Sequence, residues 1–168
     1  DEFKSTSKIP VVLVLDNVRS ALNVGSVFRT ADAFALEKVV LCGITAQPPH
    51  REILKTALGS TESVSWEYYP STVQAVKQLH AAGYQVFAVE QTSEKTWLHE
   101  FAPVPKVRYA FVLGNEVDGV DQATIAASDG VIEIAQHGTK HSLNVAVAGG
   151  IVLYEIFGKM GNSTFYNK

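Results

Sequence analysis

Three short stretches of this sequence carry polar side chains at spacings that suit binding or catalysis. In the first, residues 23–30, Arg29 lies one helical turn after Gly25. A glycine lets another group approach a helix closely, and a guanidinium beside that gap can reach a phosphate or a ribose oxygen. The alternative is a surface arginine paired with Asp32 or Glu37. The stretch is not a phosphate-binding glycine loop, because neither a P-loop nor a G-x-G-x-x-G pattern is present.

The second stretch, residues 112–119, is the end of an apolar segment and a tight turn with two glycines and two carboxylates, Glu116 and Asp118. Glycines free the backbone amides and carbonyls to face a ligand. A plain acidic turn is the alternative. Two carboxylates without a supporting histidine cluster are not the signature of a metal site, so no metal is expected here.

The third stretch, residues 138–145, places Ser142 and Asn144 at the mouth of an apolar helix, next to His141. Capping of that helix by Ser142 is the alternative, because serine is a common N-cap and needs no further role. His141 is a candidate general base, yet no acid in the local sequence orients it. A catalytic serine would also require a nucleophile-elbow pattern, which is absent.

Strands that alternate with helices must position these stretches. Apolar or alternating runs predict strands at residues 11–15, 39–44, 64–68, 84–89, 109–113 and 131–135. Helical spacing predicts helices at residues 23–34, with Asn23 as N-cap, and at 51–58, 70–83, 121–127 and 143–157, whereas residues 90–105 are expected to be irregular. This order predicts an α/β domain with a mostly parallel sheet flanked by helices. Each polar stretch follows a strand or a strand-to-loop switch, where such sheets bind ligands.

Length and composition limit the classes of protein that remain open. The 168 residues, 46% of them hydrophobic, suit one globular domain over residues 1–168. The net charge of −3 argues weakly against a nucleic-acid partner, although a local cluster of Lys and Arg would suffice. No apolar run is long enough to span a bilayer, so no membrane partner is expected. The single cysteine, Cys42, lies in an apolar run and excludes a disulfide within one chain, so the cytoplasm is the expected compartment.

The last predicted helix is apolar on nearly all of its surface. Its apolar residues include Val145, Ala146, Val147, Ala148, Ile151, Val152, Leu153 and Ile156. A helix without a polar face must be covered on every side, and a partner subunit is a natural cover for a terminal helix in a small domain. Full burial within one chain is the alternative. Gly149 and Gly150 each cost about 1 kcal/mol relative to alanine, which close backbone packing would justify.

The order and composition of the three stretches resemble the SpoU/TrmH branch of the SPOUT RNA methyltransferases. The first motif of that branch, Asn-x-Gly-x-x-x-Arg-Thr, is similar to Asn23, Gly25, Arg29 and Thr30. The second motif, Gly-x-Glu-x-x-Gly, is matched by Gly114, Glu116 and Gly119, and the third, Ser-Leu-Asn-Val, by residues 142–145. The resemblance extends over residues 11–157, and residues 55–59 resemble a further family stretch.

The resemblance implies a fold, a cofactor and a partner. The fold would be an α/β trefoil knot, in which the C-terminal part threads through a loop. Two chains would pair as a homodimer through the C-terminal helix and the knot region, in agreement with the apolar last helix. The knot loops would bind S-adenosylmethionine. The motifs map its binding positions to Leu113, Gly114, Ile134 and Leu143, with Gln136 and Ser142 as further candidates.

The implied reaction is 2′-O-methylation of a ribose in transfer or ribosomal RNA. Its catalytic residues would be Arg29, Asn23, Glu116, Ser142 and Asn144. Because guanidinium groups stay protonated in proteins, we expect Arg29 to bind the adjacent phosphate and to stabilise the developing alkoxide rather than act as a base. The other four residues would hold Arg29 and the ribose in place, while water or a phosphate oxygen takes the proton.

Recognition of RNA would fall to cationic residues near the motif loops. The candidates are Arg19, Arg51, Lys55, Lys140 and His141, each of which can also be a plain solvated charge. No separate RNA-binding domain is expected in these 168 residues.

Other functions stay open at this point. A SPOUT methyltransferase acting on a base nitrogen is one alternative, and a non-catalytic RNA-binding or assembly factor of the same fold is another. A generic nucleotide-binding α/β domain is disfavoured, because the phosphate-binding loop is missing.

Overall fold

The computed structural model of the protein describes residues 7–139 and 142–160. Its strands are β1 (Ile9–Asp16), β2 (Leu36–Cys42), β3 (Trp66–Tyr69), β4 (Tyr84–Val89), β5 (Thr96–Trp97), β6 (Arg108–Leu113) and β7 (Gly130–Glu133). Its helices are α1 (Ala21–Ala33), α2 (Arg51–Ala57), α3 (Ser60–Ser63), α4 (Thr72–Ala81), α5 (Gln122–Ala127) and α6 (Val145–Lys159), with a 3-10 turn at Leu98–Glu100. The predicted alternation of strands and helices is confirmed.

The seven strands form one sheet, in the order β3-β2-β1-β6-β4-β7-β5. Every registered pair of neighbouring strands is parallel, as predicted. β1 and β6 pair near the middle, with Val11 opposite Tyr109 and Leu15 opposite Leu113. Their apolar runs suit this place, because central parallel strands are covered by helices on both faces. The carboxyl ends of β1 and β6 therefore lie side by side, where the chain approaches the first and second polar stretches.

Alternate residues of β1 pack into two separate cores, one on each face of the sheet. Val11, Leu13 and Leu15 belong to a cluster with residues of α1 and α6. Val12 and Val14 belong to a second cluster with residues of α4. Strand side chains alternate between the two faces, so a strand of apolar residues needs cover on both. α1 and α6 thus share one face of the sheet. α1 contains the whole first polar stretch, and α6 begins at the end of the third.

α6 packs on the sheet through one side and leaves another side exposed. A Cβ at Gly149 would lie 3.0 Å from Leu113 Cδ1, so the glycine permits close packing on β6. The exposed side shows Val147, Ile151 and Tyr154, whose exposed fractions are 51%, 37% and 72%. Full burial of this helix within one chain is therefore wrong. Cover by a partner subunit stays a prediction.

α6 is also the most apolar helix of the fold, and it is 15 residues long. Within residues 7–139 and 142–160, no helix is long and apolar enough to cross a membrane. By the resemblance, this C-terminal part would thread through a loop. That threading stays a prediction.

Both helices next to the polar stretches are capped differently from the prediction. The N-cap of α1 is Ser20, whose Oγ accepts a hydrogen bond from the Asn23 backbone N–H at 3.2 Å, so the expected N-cap at Asn23 is wrong. The N-cap of α6 is Asn144, so the alternative of capping by Ser142 is wrong as well. Serine and asparagine are both strong N-caps, and the local hydrogen bonds decide between them.

The segment between β4 and β6 is less irregular than predicted. It contains β5 and the 3-10 turn. The polar and aromatic residues of this segment show no pattern that predicts either element. A strand of two residues is too short to show a period. β5 nevertheless closes one edge of the sheet by pairing with β7.

Candidate functional site

A cleft of about 280 Å³ opens beyond the carboxyl ends of β4, β6 and β7. Its volume lies near the lower end of the range for ligand pockets, roughly 300–1,000 Å³. Its walls are residues 89–91, residues 113–119, Ile134, Gln136, Ser142, Leu143, Val145 and Ala148. The turn after β6 and the start of α6 therefore line one cleft together, at the strand ends where open α/β sheets bind ligands.

The six positions that the resemblance assigns to the cofactor all line this cleft. They are Leu113, Gly114, Ile134, Leu143 and the further candidates Gln136 and Ser142. Leu113 is buried, Ile134 is half-buried, and Leu143 and Gln136 are exposed. The wall thus combines apolar side chains with the polar backbone groups of Gly114. The side chains suit a flat apolar ring, and the backbone groups suit polar atoms at the edge of that ring. The binding role of these residues stays a prediction.

The turn after β6 is closed by its own hydrogen bonds. The Asn115 backbone N–H donates to the Gly119 carbonyl oxygen at 3.0 Å, and the Gly119 N–H donates to the Asn115 carbonyl oxygen at 2.9 Å. Asn115 Oδ1 also accepts from the backbone N–H groups of Val117 and Asp118, at 2.8 and 3.1 Å. A Cβ at Gly114 would overlap the backbone of Gly119, and Gly119 itself has a φ of +71°. The backbone of this turn therefore requires both glycines.

Glu116 joins this turn to the start of α1. Its carboxylate accepts hydrogen bonds from the backbone N–H groups of Arg19 and Ser20, at 2.8 and 3.0 Å, and from Asn23 Nδ2 at 3.3 Å. Desolvation would raise the pKa of Glu116, but the N–H groups of Arg19 and Ser20 outweigh it, so the pKa lies below its ordinary value of 4.5. The side chain is therefore ionised at neutral pH and acts as an acceptor.

Asn144 extends this connection to α6. Its Oδ1 caps the helix by accepting from the backbone N–H groups of Ala146 and Val147, at 2.9 and 3.4 Å. Its Nδ2 donates to Asn23 Oδ1 at 3.2 Å. Because Asn23 also donates to Glu116, a hydrogen-bonded chain runs from Glu116 through Asn23 to Asn144. The structure thus brings one residue of each motif together, which spacing in the sequence does not reveal.

Arg29 lies apart from the cleft of its own chain and is not among the cleft walls. Its side chain is exposed, and it makes no hydrogen bond or ion pair with any residue that the structure describes. Asp32 instead accepts from Ser63 Oγ at 2.9 Å, and Glu37 pairs with Arg108. The alternative of a surface arginine paired with either acid is therefore wrong. Within the described ranges, the guanidinium is open to a partner from outside the chain.

The space beside Gly25 is filled by a helix rather than by a ligand. A Cβ at Gly25 would overlap Thr56 Oγ1 and the Ile53 carbonyl oxygen of α2. Thr56 Oγ1 also donates to the Leu22 carbonyl oxygen at 2.7 Å, which holds α1 against α2. The expected close approach to Gly25 is confirmed. The expectation that this gap lets Arg29 meet a ligand is wrong, because α2 occupies it.

Three of the five cations expected to meet RNA lie exposed on the surface. Arg19 precedes α1, and Arg51 and Lys55 lie one turn apart on α2. None of these three pairs with an acid among the described residues. The other two, Lys140 and His141, lie outside the described residues. In the part of the chain that the structure describes, no group of three His, Cys, Asp or Glu side chains is placed to hold a metal ion.

Glu90 lies in the cleft wall, although sequence patterns assign it no role. Its Oε1 accepts from the Val120 backbone N–H at 2.9 Å, and its Oε2 accepts from the Gln91 backbone N–H at 2.9 Å. Glu90 thus holds the end of the turn after β6, whereas Glu116 holds its middle. The available signal was its position as the first polar residue after the apolar strand β4.

Comparisons with known proteins match the chain along most of its length. The model of the SpoU rRNA Methylase family matches residues 10–154. The 23S rRNA (guanosine-2′-O-)-methyltransferase RlmB of Neisseria meningitidis serogroup B is 28% identical over 155 residues, which cover 92% of this chain and 61% of that protein. The chain spans between 41% and 61% of the length of the first curated relatives that it matches.

Two solved structures share the fold. The TrmH/SpoU tRNA modifying enzyme of A. aeolicus superposes with a TM-score of 0.83 at 26% identity, over 99% of this chain and 82% of that chain. The AdoMet-bound rRNA methyltransferase of Sinorhizobium meliloti superposes with a TM-score of 0.81 at 26% identity, over 91% of this chain and 58% of that chain. The seven-stranded parallel sheet therefore matches the sheet of these proteins.

Proposed function

The chain belongs to the SpoU rRNA methylase family, and from this premise we propose that it transfers the methyl group of S-adenosylmethionine to a ribose 2′-hydroxyl of transfer or ribosomal RNA. The observation that carries the proposal is the hydrogen-bonded chain from Glu116 through Asn23 to Asn144, which joins the cleft to the start of α1. The relative from Neisseria is named as a guanosine-2′-O-methyltransferase. That name favours ribose over a base nitrogen as the acceptor.

S-adenosylmethionine suits the cleft because of the chemistry of its walls. The proposed binding residues are Leu113, Gly114, Ile134, Gln136 and Leu143, which all line the cleft. Their apolar side chains suit the adenine ring, and the backbone of Gly114 offers polar groups at its edge. The relative from Sinorhizobium was solved with AdoMet bound, which supports the same cofactor here. When bound, the cofactor supplies an electrophilic methyl group on a sulfonium sulfur.

Arg29 acts on the RNA in this proposal, not on the cofactor. Guanidinium groups stay charged in proteins, so Arg29 binds the phosphate next to the target ribose and stabilises the negative charge that develops on the 2′ oxygen. Its side chain is exposed and pairs with no residue of the ranges 7–139 and 142–160, which leaves its N–H donors for that purpose. The ribose proton passes to water or to a phosphate oxygen.

Four other residues position Arg29 and the ribose in the proposed reaction. Glu116 and Asn144 hold Asn23 from its two sides, which fixes the start of α1 relative to the cleft. Ser142 is exposed and lines the cleft, so its hydroxyl is accessible to a ribose. Alignment of the 2′ oxygen with the methyl carbon can supply much of the rate by proximity.

We infer that two chains form a homodimer through α6 and the adjoining knot region. Val147, Ile151 and Tyr154 follow each other at intervals of four and three residues, so their exposed side chains form one apolar stripe. Arg29 does not line the cleft of its own chain. A second chain packed on this face of the sheet would bring its own Arg29 to that cleft and complete the site.

The homodimer is tested by placing charge in the apolar stripe. We expect the wild type to sediment as a dimer, and the double variant Ile151→Glu and Tyr154→Glu to sediment as a monomer. Both side chains are exposed in one chain, so the variant should stay folded, which circular dichroism checks. A wild type that sediments as a monomer at micromolar concentration would contradict the inference.

Contacts with RNA are proposed for a local group of cations, since the net charge of the whole chain is −3. The group consists of Arg19, Arg51, Lys55, Lys140 and His141. One methyltransferase domain over residues 1–168 is part of the same proposal. So is a cytoplasmic location, in keeping with the buried free thiol of Cys42.

The proposed activity is tested by incubating the protein with labelled S-adenosylmethionine and separated pools of transfer and ribosomal RNA. We expect label in a 2′-O-methylated nucleoside, at a position that resists alkaline cleavage. Label in a methylated base would instead favour the base methyltransferase. If calorimetry detects no binding of S-adenosylmethionine, the enzyme proposal fails and a non-catalytic RNA-binding or assembly factor is favoured.

A further inference from the structure

Outside the three motifs, we propose that Glu90 is a specificity-determining residue that accepts hydrogen bonds from the ribose hydroxyls of the adenosyl cofactor. The inference rests on the proposed function, because it requires an adenosyl ligand in the cleft. It assigns a ligand contact to a carboxylate that otherwise only holds the backbone of the turn after β6.

The fold fixes the position of Glu90 on both sides. Its backbone N–H donates to the Ile132 carbonyl oxygen at 3.0 Å, which continues the pairing of β4 with β7. Its carboxylate is held by the backbone N–H groups of Val120 and Gln91, each at 2.9 Å. The residue is half-buried and lines the cleft. A ligand in the cleft therefore meets a carboxylate that is already fixed in place, which is the condition for selective binding.

The carboxylate of Glu90 has acceptor capacity left. An ionised carboxylate is an acceptor only, with about four lone-pair sites on its two oxygens. The described residues use one site on each oxygen, through Val120 and Gln91. Each oxygen can therefore accept one more hydrogen bond, and hydroxyl groups are suitable donors.

Three other polar side chains in this wall either form hydrogen bonds to other parts of the chain or are more exposed than Glu90. Asn115 accepts twice through Oδ1 and donates through Nδ2 to the Asn17 carbonyl oxygen at 2.7 Å. The Glu116 carboxylate is committed to the start of α1. Asp118 is exposed. Among the three carboxylates that line the cleft, Glu90 is the half-buried one, and burial strengthens its hydrogen bonds.

The two walls of the cleft suit different parts of an adenosyl ligand. The apolar wall of Leu113, Ile134 and Leu143 suits the adenine ring, and the ribose is bonded directly to that ring. The ribose thus comes to the polar wall that contains Glu90. A cis-diol offers two O–H donors to one carboxylate. In dinucleotide-binding folds, an acidic residue likewise accepts from a ribose 2′-hydroxyl at the end of a parallel strand.

The experiment measures the affinity of the wild type and of Glu90→Gln for S-adenosylhomocysteine and for its 2′-deoxy and 3′-deoxy analogues, by calorimetry. In the wild type, we expect removal of a hydroxyl to weaken binding about tenfold or more, because a hydrogen bond to a charged acceptor is lost. In Glu90→Gln, the same removal should weaken binding by less than about threefold, because a neutral amide oxygen binds the hydroxyl less strongly.

Asp118→Asn is the matched control, because it removes one negative charge from the same wall. In Asp118→Asn, removal of a ribose hydroxyl should weaken binding by the same factor as in the wild type. If Glu90→Gln weakens all three ligands by the same factor, Glu90 only supports the turn and the inference is overturned. If Glu90→Gln does not fold, Glu90→Asp replaces it, since it keeps the charge but withdraws the carboxylate by one methylene. If removal of a ribose hydroxyl weakens binding to Glu90→Asp as much as it weakens binding to the wild type, the inference is overturned as well.

The same data separate this inference from the proposed function. A wild type that binds S-adenosylhomocysteine with no penalty for either deoxy analogue overturns the role of Glu90 and leaves the proposed function intact. A wild type that binds neither S-adenosylmethionine nor S-adenosylhomocysteine overturns the proposed function itself.

Discussion

The turn after β6 and the outer surface of α1 and α2 belong to the same candidate site, yet they are built in opposite ways. In the turn, Asn115 and Gly119 bond to each other, and Asn115 and Glu116 also bond to the chain before α1. On the outer surface, Arg29 and the two cations of α2 are exposed and pair with no acid in the described ranges. The first region is held by hydrogen bonds within one chain, whereas the cations of the second face solvent and are open to a partner from outside the chain.

This difference indicates which part of the proposed reaction each region serves. A small ligand is bound tightly when the protein does not have to be ordered on binding, so a turn closed by its own hydrogen bonds suits a cofactor. Unpaired cations suit a polyanion, which supplies the counter-charges itself. The proposed division is therefore between a rigid cofactor side and an open RNA side. Changes in the two regions should separate their effects on cofactor affinity from their effects on RNA.

The largest expected effect comes from Arg29→Ala on the open side. Loss of the guanidinium should lower kcat by about 10²–10³, because charge on the 2′ oxygen is no longer stabilised. The affinity for S-adenosylmethionine should not change, since Arg29 does not line the cleft of its own chain and is proposed to bind the RNA rather than the cofactor. Single-turnover methylation and calorimetry measure the two quantities. A parallel loss of cofactor affinity would break the division between the regions.

Arg29→Lys sharpens the role of the same residue. We expect partial activity and a pH–rate profile with the same apparent pKa values as the wild type, because neither side chain is proposed to take the proton. Near-full activity together with a lowered apparent pKa would show that the residue acts as a base.

On the rigid side, Gly114→Ala should lower the affinity for S-adenosylmethionine about tenfold or more. The added Cβ would overlap the backbone of Gly119, which cannot rotate away as a side chain does. Gly138→Ala is the control, because a Cβ at Gly138 meets no atom within 4 Å. Calorimetry with both variants measures the effect. Equal affinities in the two variants would contradict the rigidity of the turn.

A smaller effect is expected from the double variant Arg51→Ala and Lys55→Ala. Loss of two phosphate contacts should raise KM for RNA several-fold and reduce the slope of log affinity against log salt by about two. Cofactor affinity should stay unchanged. Lys77→Ala is the control, because Lys77 is exposed on α4, which covers the other face of the sheet. Filter binding at several salt concentrations measures the slope, and equal slopes for the two variants would remove α2 from the RNA surface.

The smallest expected effect is a change in acid stability caused by Glu116→Gln. The pKa of Glu116 in the folded protein lies below its ordinary value of 4.5. Its ionised form therefore stabilises the fold above that pH, and the contribution is lost as the pH falls through the lowered pKa. The melting temperature of the wild type should fall more steeply with acid than that of Glu116→Gln. Parallel curves would show that the carboxylate does not hold the start of α1.

The sequence alone predicts those strands and helices whose apolar residues recur with a clear period. β4 spans Tyr84–Val89 in both the prediction and the structure, because an alternating apolar run is bounded by Gly83 and Glu90. β5 was not predicted, because its two residues depend on pairing with β7. The prediction of Asn23 as the N-cap of α1 is wrong because residue type alone does not exclude a serine three residues earlier, and Ser20 is the observed cap.

The sequence predicts which residues form the candidate site, but not the hydrogen bonds between them. The motif order identified Asn23, Glu116 and Asn144. Their hydrogen bonds join residues 93 and 121 positions apart, and no periodicity reports a contact over such a separation. For the same physical reason, the sequence does not reveal that α2 is the group that approaches Gly25, or that the Val120 N–H donates to Glu90.

Asn144 has a consequence for how the protein ages. Its amide oxygen caps α6 and its amide nitrogen donates to Asn23. Deamidation to aspartate, the ordinary slow decay of asparagine in solution, would keep the oxygen and delete the donor. Asn23 can bond to the new carboxylate only by turning its own amide, which removes its bond to Glu116. In a stored sample, the link between α6 and α1 would thus be lost while the cap of α6 is kept, and activity would decline with age.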